Sequence, residues 1–266
     1  MPSSTLIWGN LHTHTPLCNH ATGEMEEYVK KAIELGFKVL GFSDHAPNDK
    51  LNDPFRMKDK DYQIYSSRFD ELKEKYKDQI TLFKGIEIEY DIREKNYVEK
   101  FNDLEYIILG QHYIVDDSLK GKSRSVFDIK EYHEFEIYID TVIEAIKTRR
   151  YTILAHPDLF LMNNKEYTKE IDSLIKKLLE CVEEYDIMLE INANGIRRKK
   201  SIGATYENYV YPDFHFFNIA KEYNVRYIIS SDAHAVDCLY DTALDKAIEF
   251  AKILKLKNII NLKENL

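Results

Sequence analysis

The stretch N-L-H-T-H-T-P-L-C-N-H at residues 10–20 carries three histidines directly after the short apolar run of residues 6–8. His12 and His14 are two residues apart, so in an extended chain their side chains point to the same side. Neutral imidazole is the commonest metal ligand among protein side chains. The pair therefore predicts half of a metal site at the end of a first strand, residues 5–12. Ordinary histidines at a strand end would give the same pattern.

The composition of the chain is that of an ordinary folded protein, with 266 residues, 44% apolar and 31% charged. This length suits one large α/β domain or two small ones. The formal net charge of −9 disfavours a general nucleic-acid binder. A small anionic substrate held by metal ions remains compatible with it, because bound cations reverse the local field.

The location of the protein is predicted from its cysteines and its apolar runs. Cys18, Cys181 and Cys238 are widely spaced and odd in number, which fits a reducing cytoplasm rather than a disulfide framework. There is no signal-peptide pattern, and no apolar run approaches the roughly 18 residues of a membrane span. We therefore expect a cytoplasmic protein with no membrane partner.

Strands and helices are predicted to alternate seven times along the chain. The predicted strands are residues 5–12, 38–42, 80–88, 106–109, 151–154, 187–191 and 226–229, with a short final strand at 258–262. The predicted helices lie between Gly23 and Gly36 and at residues 59–78, 94–103, 131–149, 168–185, 213–223 and 240–254. No linker rich in Gly, Pro or Ser interrupts this alternation. It indicates a single α/β domain over residues 1–266 with a parallel sheet.

Polar residues follow six of the seven predicted strands, always at the C-terminal end. An open sheet gathers its ligands at one switch point, whereas a closed barrel brings all C-terminal strand ends to one rim. We therefore expect a (β/α)7 barrel. The candidate ligands at its rim include seven of the nine histidines and are His12, His14, His20, His45, Glu87, His112, His156, Asp232 and His234.

Nine nitrogen and carboxylate ligands suit two or three ions of zinc, iron or manganese, with positions left for water and substrate. Such a site activates water near neutral pH and clamps phosphoryl oxygens, so phosphoester hydrolysis is the expected reaction. Glu87 could bridge two ions. Glu89 projects to the same side of the strand, and spacing alone does not choose between the two. Cys18 could also be a ligand, but is expected to pack as a small apolar residue.

For other polar residues, the sequence indicates a functional role less strongly. Arg197 follows a strand-end Asn-x-Asn-Gly turn and is expected to meet a phosphate oxygen, although it could equally belong to a solvated basic run. Asp44 could orient His45 or touch the substrate. His133 and His215 lie within predicted helices and are expected to be structural.

The order of these motifs resembles the PHP (polymerase and histidinol phosphatase) family over nearly the whole chain. The matching motifs are H-T-H with His20, S-D-H at 43–45, G-I-E at 85–87, His112, A-H-P at 155–157 and S-D-A-H at 231–234. The resemblance implies a distorted (β/α)7 TIM-like barrel with three divalent ions at the C-terminal rim. It implies that Glu87, rather than Glu89, is the ligand.

The resemblance also implies a role for each ligand. The first ion would be held by His12, His14, Glu87 and Asp232. The second would share Glu87 and be completed by His112 and His156. The third would be held by His20, His45 and His234.

Within the family, the F-S-D-H-A-P stretch, the G-I-E-I-E-Y strand and the length resemble the stand-alone histidinol-phosphate phosphatases. The implied reaction converts L-histidinol phosphate to L-histidinol and phosphate in histidine biosynthesis. A hydroxide between the first two ions would attack phosphorus, and Arg197 would help to neutralise charge on the phosphoryl oxygens. Asp44 or a water would protonate the leaving group. The loops at 46–58 and 114–128 would contact the rest of this small-molecule substrate.

Four other functions remain open at this point. A PHP phosphoesterase could act on nucleotides or short oligonucleotides, although the acidic balance argues against long nucleic acid. An accessory domain of a polymerase would show a polymerase region or lost ligands, and neither is present. An amidohydrolase-like enzyme would often place a lysine between its metals, where this chain has Glu87. The last alternative is a metal-binding protein without catalysis.

Overall fold

The computed structural model describes residues 8–51, 53–115, 122–163 and 166–262. The described strands are β1 (Gly9–Asn10), β2 (Val39–Phe42), β3 (Thr81–Lys84), β4 (Glu87–Ile88), β5 (Ile108–Leu109), β6 (Tyr113–Val115), β7 (Ser123–Ser125), β8 (Ile153–Leu154), β9 (Met188–Asn192) and β10 (Tyr227–Ser230). The described helices are α1 (Met25–Glu34), α2 (Asp59–Tyr76), α3 (Tyr132–Lys147), α4 (Lys169–Tyr185), α5 (Asn194–Arg197), α6 (Phe214–Ala220) and α7 (Thr242–Leu254).

Parallel pairing dominates the sheets, which confirms the predicted α/β class. One sheet has the order β1-β2-β3 and another the order β10-β9-β8-β5-β4, and every neighbouring pair in both is parallel. An isolated parallel bridge joins His45, beyond β2, to Glu87 in β4. A second joins Thr13, beyond β1, to Ala233, beyond β10. Apart from the β6–β7 hairpin, which lies between β5 and β8 in the chain, strands adjacent in this arrangement follow one another in sequence.

The helices pack their apolar faces on the sheets and on one another. In α4 the predicted stripe is buried, including Ile171, Ile175 and Leu178. Thr168 begins this helix by accepting a hydrogen bond from the backbone N–H of Ile171, as an N-cap does. The helix ends at Asp186, which adopts a left-handed conformation.

The prediction of one continuous third strand is wrong. Residues 80–88 form β3 and β4, which pair with different neighbours, β2 and β5. The break falls at Gly85, where a Cβ atom would lie 2.3 Å from the Tyr106 ring. The carbonyl of Gly85 accepts a hydrogen bond from the Tyr65 hydroxyl at 2.8 Å. This close packing shifts the strand from one sheet to the other and carries Glu87 into the centre of the site.

Other local predictions also differ from the structure. The predicted helix at 94–103 consists of short 3-10 turns, Ile92–Glu94 and Tyr97–Lys100, because Asp91 captures the backbone N–H of Arg93. The antiparallel hairpin of β6 and β7 was predicted as loop, since Ser-Arg-Ser lacks apolar alternation. The final strand reduces to one bridge between Tyr227 and Ile259. Residues 5–7 of the first predicted strand lie outside the described residues. Across the described part of the chain, no helix is long and apolar enough to cross a membrane.

Candidate metal centre

Glu87 lies at the centre of the predicted ligands and contacts histidines that come from four different strand ends. Its Oε2 atom is 3.3 Å from His12 Nε2 and 3.0 Å from His45 Nδ1. Its Oε1 atom is 3.1 Å from His156 Nε2 and 3.8 Å from His112 Nε2. The carboxylate is 1% exposed, so its charge is balanced by groups inside the protein.

Asp232 is the second buried carboxylate of the cluster. Its Oδ1 atom is 3.2 Å from His14 Nε2, 3.7 Å from His12 Nε2 and 3.3 Å from His234 Nδ1. The remaining candidate ligand, His20, has its ring centroid 4.5 Å from that of His234. All nine predicted ligands therefore lie in one cluster.

Many buried polar atoms of this cluster have no hydrogen-bond partner among the residues that the structure describes. They are His12 Nε2, both ring nitrogens of His14, His45 Nδ1, His156 Nδ1, His234 Nε2 and Asp232 Oδ1. Buried polar atoms are normally paired, because an unpaired one costs the full desolvation of the group. Of these atoms, His12 Nε2, His14 Nε2 and His45 Nδ1 lie within 3.5 Å of Glu87 Oε2. Such a group of unpaired nitrogens around a buried carboxylate fits a site for divalent cations, with nitrogen and oxygen ligands that suit zinc, iron or manganese.

The ligand atoms fall into sets in which all atoms lie within 4.8 Å of one another. The sets are His12 with His14 and Asp232, His45 with Glu87 and His112, His14 with His45 and His234, Cys18 with His20 and His234, and His14 with Cys18 and Asp44. The first contains three of the four residues that the family resemblance implies for the first ion, whereas the second groups His45 with Glu87 and His112 rather than with His20 and His234. His45 contacts Glu87 as well as the His14 and His234 group, so it lies between two of the implied ion positions. Cys18 is fully buried beside this cluster.

Two carboxylates orient the histidines by contacting their outer ring nitrogens: Glu190, which the sequence analysis did not identify, and Glu89, which it considered as a ligand in place of Glu87. Glu190, in β9, places Oε1 2.6 Å from His12 Nδ1 and accepts the His156 backbone N–H at 3.0 Å. Glu89 places Oε1 3.0 Å from His112 Nδ1. A metal-binding histidine usually gives its other ring nitrogen to such a carboxylate, which orients the ring. The sequence feature that points to Glu190 is its position as a charged residue inside the apolar strand M-L-E-I-N.

Arg56 connects Glu89 to the loop that follows β2. Its guanidinium donates to both oxygens of Glu89, at 2.8 Å and 2.9 Å, and to Asp53 at 2.7 Å. Arg56 and Glu89 are 5% and 4% exposed. A buried bidentate pair of this kind has well-defined geometry, so it fixes the position of the loop relative to His112.

The charges of the cluster shift the proton affinities of its histidines in opposite directions. Burial opposes the charge on His12, but the carboxylates of Glu190, Asp232 and Glu87 outweigh it and raise the pKa of His12 well above its usual value. Burial lowers the pKa of His45 to about 3, with only partial compensation from Glu87. The neutral form that binds metal is therefore already favoured at His45.

Two cluster residues have unusual backbone conformations. The φ angles of His156 and Asp232 are +30° and +49°, in a region that residues other than glycine seldom occupy. Such conformations persist where the surrounding structure imposes them, and they concentrate at functional sites. Here they turn two side chains toward Glu87 and His14 at the ends of β8 and β10.

Asp44 lies in the floor of the cluster, where its carboxylate is fully buried. It accepts hydrogen bonds from the Thr15 backbone and hydroxyl and from the His45 backbone, and its Oδ1 atom is 3.5 Å from His14 Nδ1. These contacts orient the ligand loops. A catalytic role for Asp44 stays a prediction.

Arg197 lines the cleft, but most of its guanidinium is already engaged. It donates to Asp241, to the hydroxyl and carbonyl of Ser231 and to the carbonyl of Cys238. One N–H of Nη1 is left for a ligand. Its contact with substrate stays a prediction. The helical histidines take no part in the cluster, since His215 pairs with Asp172 at 2.6 Å and His133 is exposed.

A cleft of about 590 Å³ opens above the cluster, a volume suited to a small molecule. Both loops expected to contact substrate contribute to its lining, through Asp53 and Phe55 and through Ser125 and Phe127, and Tyr113 lines it just before the second loop. Residue 52 and residues 116–121 of these loops lie outside the described residues. Tyr211 and Leu159 complete an apolar and aromatic wall.

The family model described as the PHP domain matches residues 10–194 of this chain. The chain belongs to the PHP domain family. The matched part of this PHP protein contains His12, Glu87 and His156, whereas Asp232 and His234 lie beyond it. The structure nevertheless places those two residues against His14, so the cluster extends past the matched segment.

Relatives of this PHP protein include the histidinol-phosphatase of Bacillus subtilis, 24% identical over 84% of this chain and 92% of the relative. A Deinococcus radiodurans protein named "Probable histidinol-phosphatase" is 27% identical over 84% of this chain and 85% of its own length. Among solved structures, the histidinol phosphate phosphatase of Lactococcus lactis, complexed with zinc, L-histidinol and phosphate, superposes with a TM-score of 0.71. That pair is 18% identical and covers 94% of this chain and 95% of the other, which shows a shared fold.

Proposed function

We propose that this PHP protein is a metal-dependent phosphomonoesterase that hydrolyses L-histidinol phosphate to L-histidinol and phosphate. The observation that carries the proposal is the convergence of unpaired histidine nitrogens on Glu87 and Asp232 beneath a small-molecule cleft. The substrate is taken from the relatives, of which the Bacillus subtilis protein is named a histidinol-phosphatase. The Lactococcus lactis structure, with its zinc, L-histidinol and phosphate, supports the same choice.

We propose that the whole chain forms one domain, a closed and distorted (β/α)7 barrel with the metal centre at the C-terminal rim. Support for closure comes from the parallel bridge between Thr13 and Ala233, which links the regions after the first and last strands of the parallel series. The bridge between His45 and Glu87 links the two sheets on the opposite side. Strand ends meet at one rim in such a barrel, which accounts for ligands drawn from many strands.

The cluster would hold three divalent ions of zinc, manganese or iron. His12, His14, Glu87 and Asp232 would hold the first, and Glu87, His112 and His156 the second. His20, His45 and His234 would hold the third. The unpaired nitrogens and the two buried carboxylates support this assignment. When bound, such ions activate water and neutralise phosphoryl oxygens.

The side chains around these ligands would hold the ligands in position and exclude water from the site. Glu190 and Glu89 keep His12 and His112 oriented through their Nδ1 atoms. The free N–H of Arg197 would donate to a phosphoryl oxygen. Asp44, held by Thr15, would keep the His14 ring in place, and proton donation from Asp44 to the leaving group belongs to the same proposal.

Phosphate release from L-histidinol phosphate tests the substrate. The protein, reconstituted with zinc, manganese or iron, would be compared on this substrate, on mononucleotides and on sugar phosphates. We expect a preference for L-histidinol phosphate of at least about 100-fold in kcat/KM, roughly 2.7 kcal/mol of transition-state discrimination. A preference for mononucleotides would overturn the substrate while keeping the reaction class.

Glu87→Gln is the matched control for the metal dependence. It preserves the shape of the side chain but removes the charge that faces five histidines. Loss of both metal and activity in this variant would support the proposal. Full activity in the metal-free parent protein would overturn it.

A further inference from the structure

The basic run at residues 197–200 divides into two parts in the structure. Arg197, which is half-buried, and Arg198, which is exposed, line the cleft, whereas the exposed Lys199 and Lys200 lie outside its lining. This division separates the two arginines, which face the candidate centre, from a pair of ordinary surface lysines. It leaves open which arginine is available to a ligand.

Most N–H groups of the Arg197 guanidinium already donate hydrogen bonds within the protein. Asp241 accepts from Nε at 2.7 Å and from Nη2 at 3.0 Å, and Ser231 and Cys238 accept from the remaining engaged N–H groups. A guanidinium has five N–H donors, so at most one of them faces the cleft. Its charge is also balanced by the Asp241 carboxylate.

Arg198 differs in both respects. Within the described part of the chain, no carboxylate forms an ion pair with it. Its Cζ atom lies 5.2 Å from the centroid of the Phe127 ring, and the guanidinium also interacts with Tyr211 and, beyond ion-pair distance, with the charge of Asp232. The side chain is therefore held by aromatic groups and has no carboxylate in direct contact among the described residues.

The aromatic residues that hold Arg198 also pack on candidate ligands. The Phe127 ring is stacked with His112, with centroids 6.0 Å apart, and the Tyr211 ring lies 5.9 Å from His156. Arg198 is thus one side chain removed from two histidines that contact Glu87. A guanidinium so placed faces a ligand that is bound over the cluster.

We propose that Arg198 binds the phosphoryl group of the substrate at the mouth of the cleft, as a substrate-binding residue additional to Arg197. The inference rests on the proposed phosphomonoesterase function. A planar guanidinium can donate two parallel hydrogen bonds to phosphate oxygens, which a lysine ammonium cannot do in the same way. A cation at the mouth of the cleft would attract a dianionic substrate in addition to the ions that the proposed function assigns to Glu87 and Asp232.

Binding of inorganic phosphate to the zinc-loaded protein tests this role without requiring turnover. By titration calorimetry we expect Arg198→Ala to weaken phosphate binding roughly tenfold or more, with zinc content and melting temperature unchanged. Arg198→Lys should recover only part of the loss. Lys200→Ala, a matched neighbour in the same basic run, should bind phosphate like the parent protein.

Two results would overturn the inference. One is phosphate binding by Arg198→Ala within about twofold of the parent. The other is an equal loss in Arg198→Ala and Lys200→Ala, which would indicate general surface charge rather than a specific contact. If L-histidinol phosphate is not hydrolysed but the phosphate affinities differ as expected, the substrate proposal fails while the role of Arg198 stands.

Discussion

Oε1 of Glu190 lies 2.6 Å from Nδ1 of His12, and both side chains are completely buried. A neutral His12 ring that donates its Nδ1–H to this carboxylate carries its lone pair on Nε2, which lies 3.3 Å from Glu87 and 3.7 Å from Asp232. Among the described residues, Nε2 has no hydrogen-bond partner of its own. Glu190 therefore selects the tautomer that can bind a metal ion.

Replacing Glu190 by glutamine should weaken metal binding without unfolding the protein. The second oxygen of Glu190 accepts hydrogen bonds from the His156 backbone and from Asn192, and a glutamine NH2 group there would face donors. We expect a loss of roughly 10- to 100-fold in metal affinity, measured by competition with a chelator. Glu184→Gln, on the exposed side of α4, is the control. Equal affinities in the two variants would contradict the orienting role.

Glu87→Ala should remove metal and activity together. Without this carboxylate, His12, His45 and His156 lose the negative charge that they share at 3.0–3.3 Å. Metal content measured by mass spectrometry and phosphate release should both fall, while the exposed control Glu222→Ala keeps both. Full activity in Glu87→Ala would refute the bridging position.

Arg56→Met should destabilise the metal-free protein, because it leaves Glu89 and Asp53 charged without their partner. A buried ion pair broken on one side costs about 3–5 kcal/mol. Urea unfolding at pH 7 measures the loss in the free energy of unfolding. An unchanged urea midpoint would show that the ion pairs of Arg56 do not contribute to the stability of the protein.

The loss of stability in Arg56→Met should depend on pH. Burial opposes the charge of Glu89, but Arg56 and His112 outweigh it and hold the pKa of Glu89 far below its usual value. A carboxylate with a depressed pKa stabilises the folded state above its unfolded pKa of about 4.3, and this stabilisation is lost as pH falls toward the folded value. The stability gap between parent and Arg56→Met should therefore be full at pH 7 and shrink below about pH 4.5. A gap that widens with acidification would contradict this assignment.

Arg197→Ala should lower stability as well as turnover. Its guanidinium ties α5 to Asp241, which also caps the first turn of α7, and to the carbonyls of Ser231 and Cys238. Loss of hydrogen bonds to a charged group costs about 1.5–3 kcal/mol. Thermal unfolding and kcat/KM should both fall, with metal content retained. Wild-type kinetics in a variant with normal metal content would exclude a substrate contact.

Much of the fold could be predicted from local patterns. The stripe in α4 and the strand–helix alternation survive in the structure because apolar periodicity depends on neighbours along the chain. The split of the third strand at Gly85 could not be predicted, since it depends on the Tyr65 hydroxyl and the Tyr106 ring, which come from elsewhere in the chain. The 3-10 turns after Asp91 depend instead on a local contact, in which the Asp91 side chain accepts the backbone N–H of Arg93, and the β6–β7 hairpin lacks apolar alternation.

The sequence by itself determined which residue types could form the centre, because histidines and carboxylates that follow apolar strands are visible without coordinates. Only the tertiary structure decided which of these residues lie in the histidine cluster and which contact it from outside. Glu87 and Glu89 are both buried, yet one faces the histidine cluster and the other pairs with Arg56. Arg197 and Arg198 are neighbours in the sequence, yet Arg197 forms an ion pair with Asp241, whereas the guanidinium of Arg198 lies over the Phe127 ring. The physical reason is that a side chain's role depends on its partners, and these partners come from distant parts of the chain.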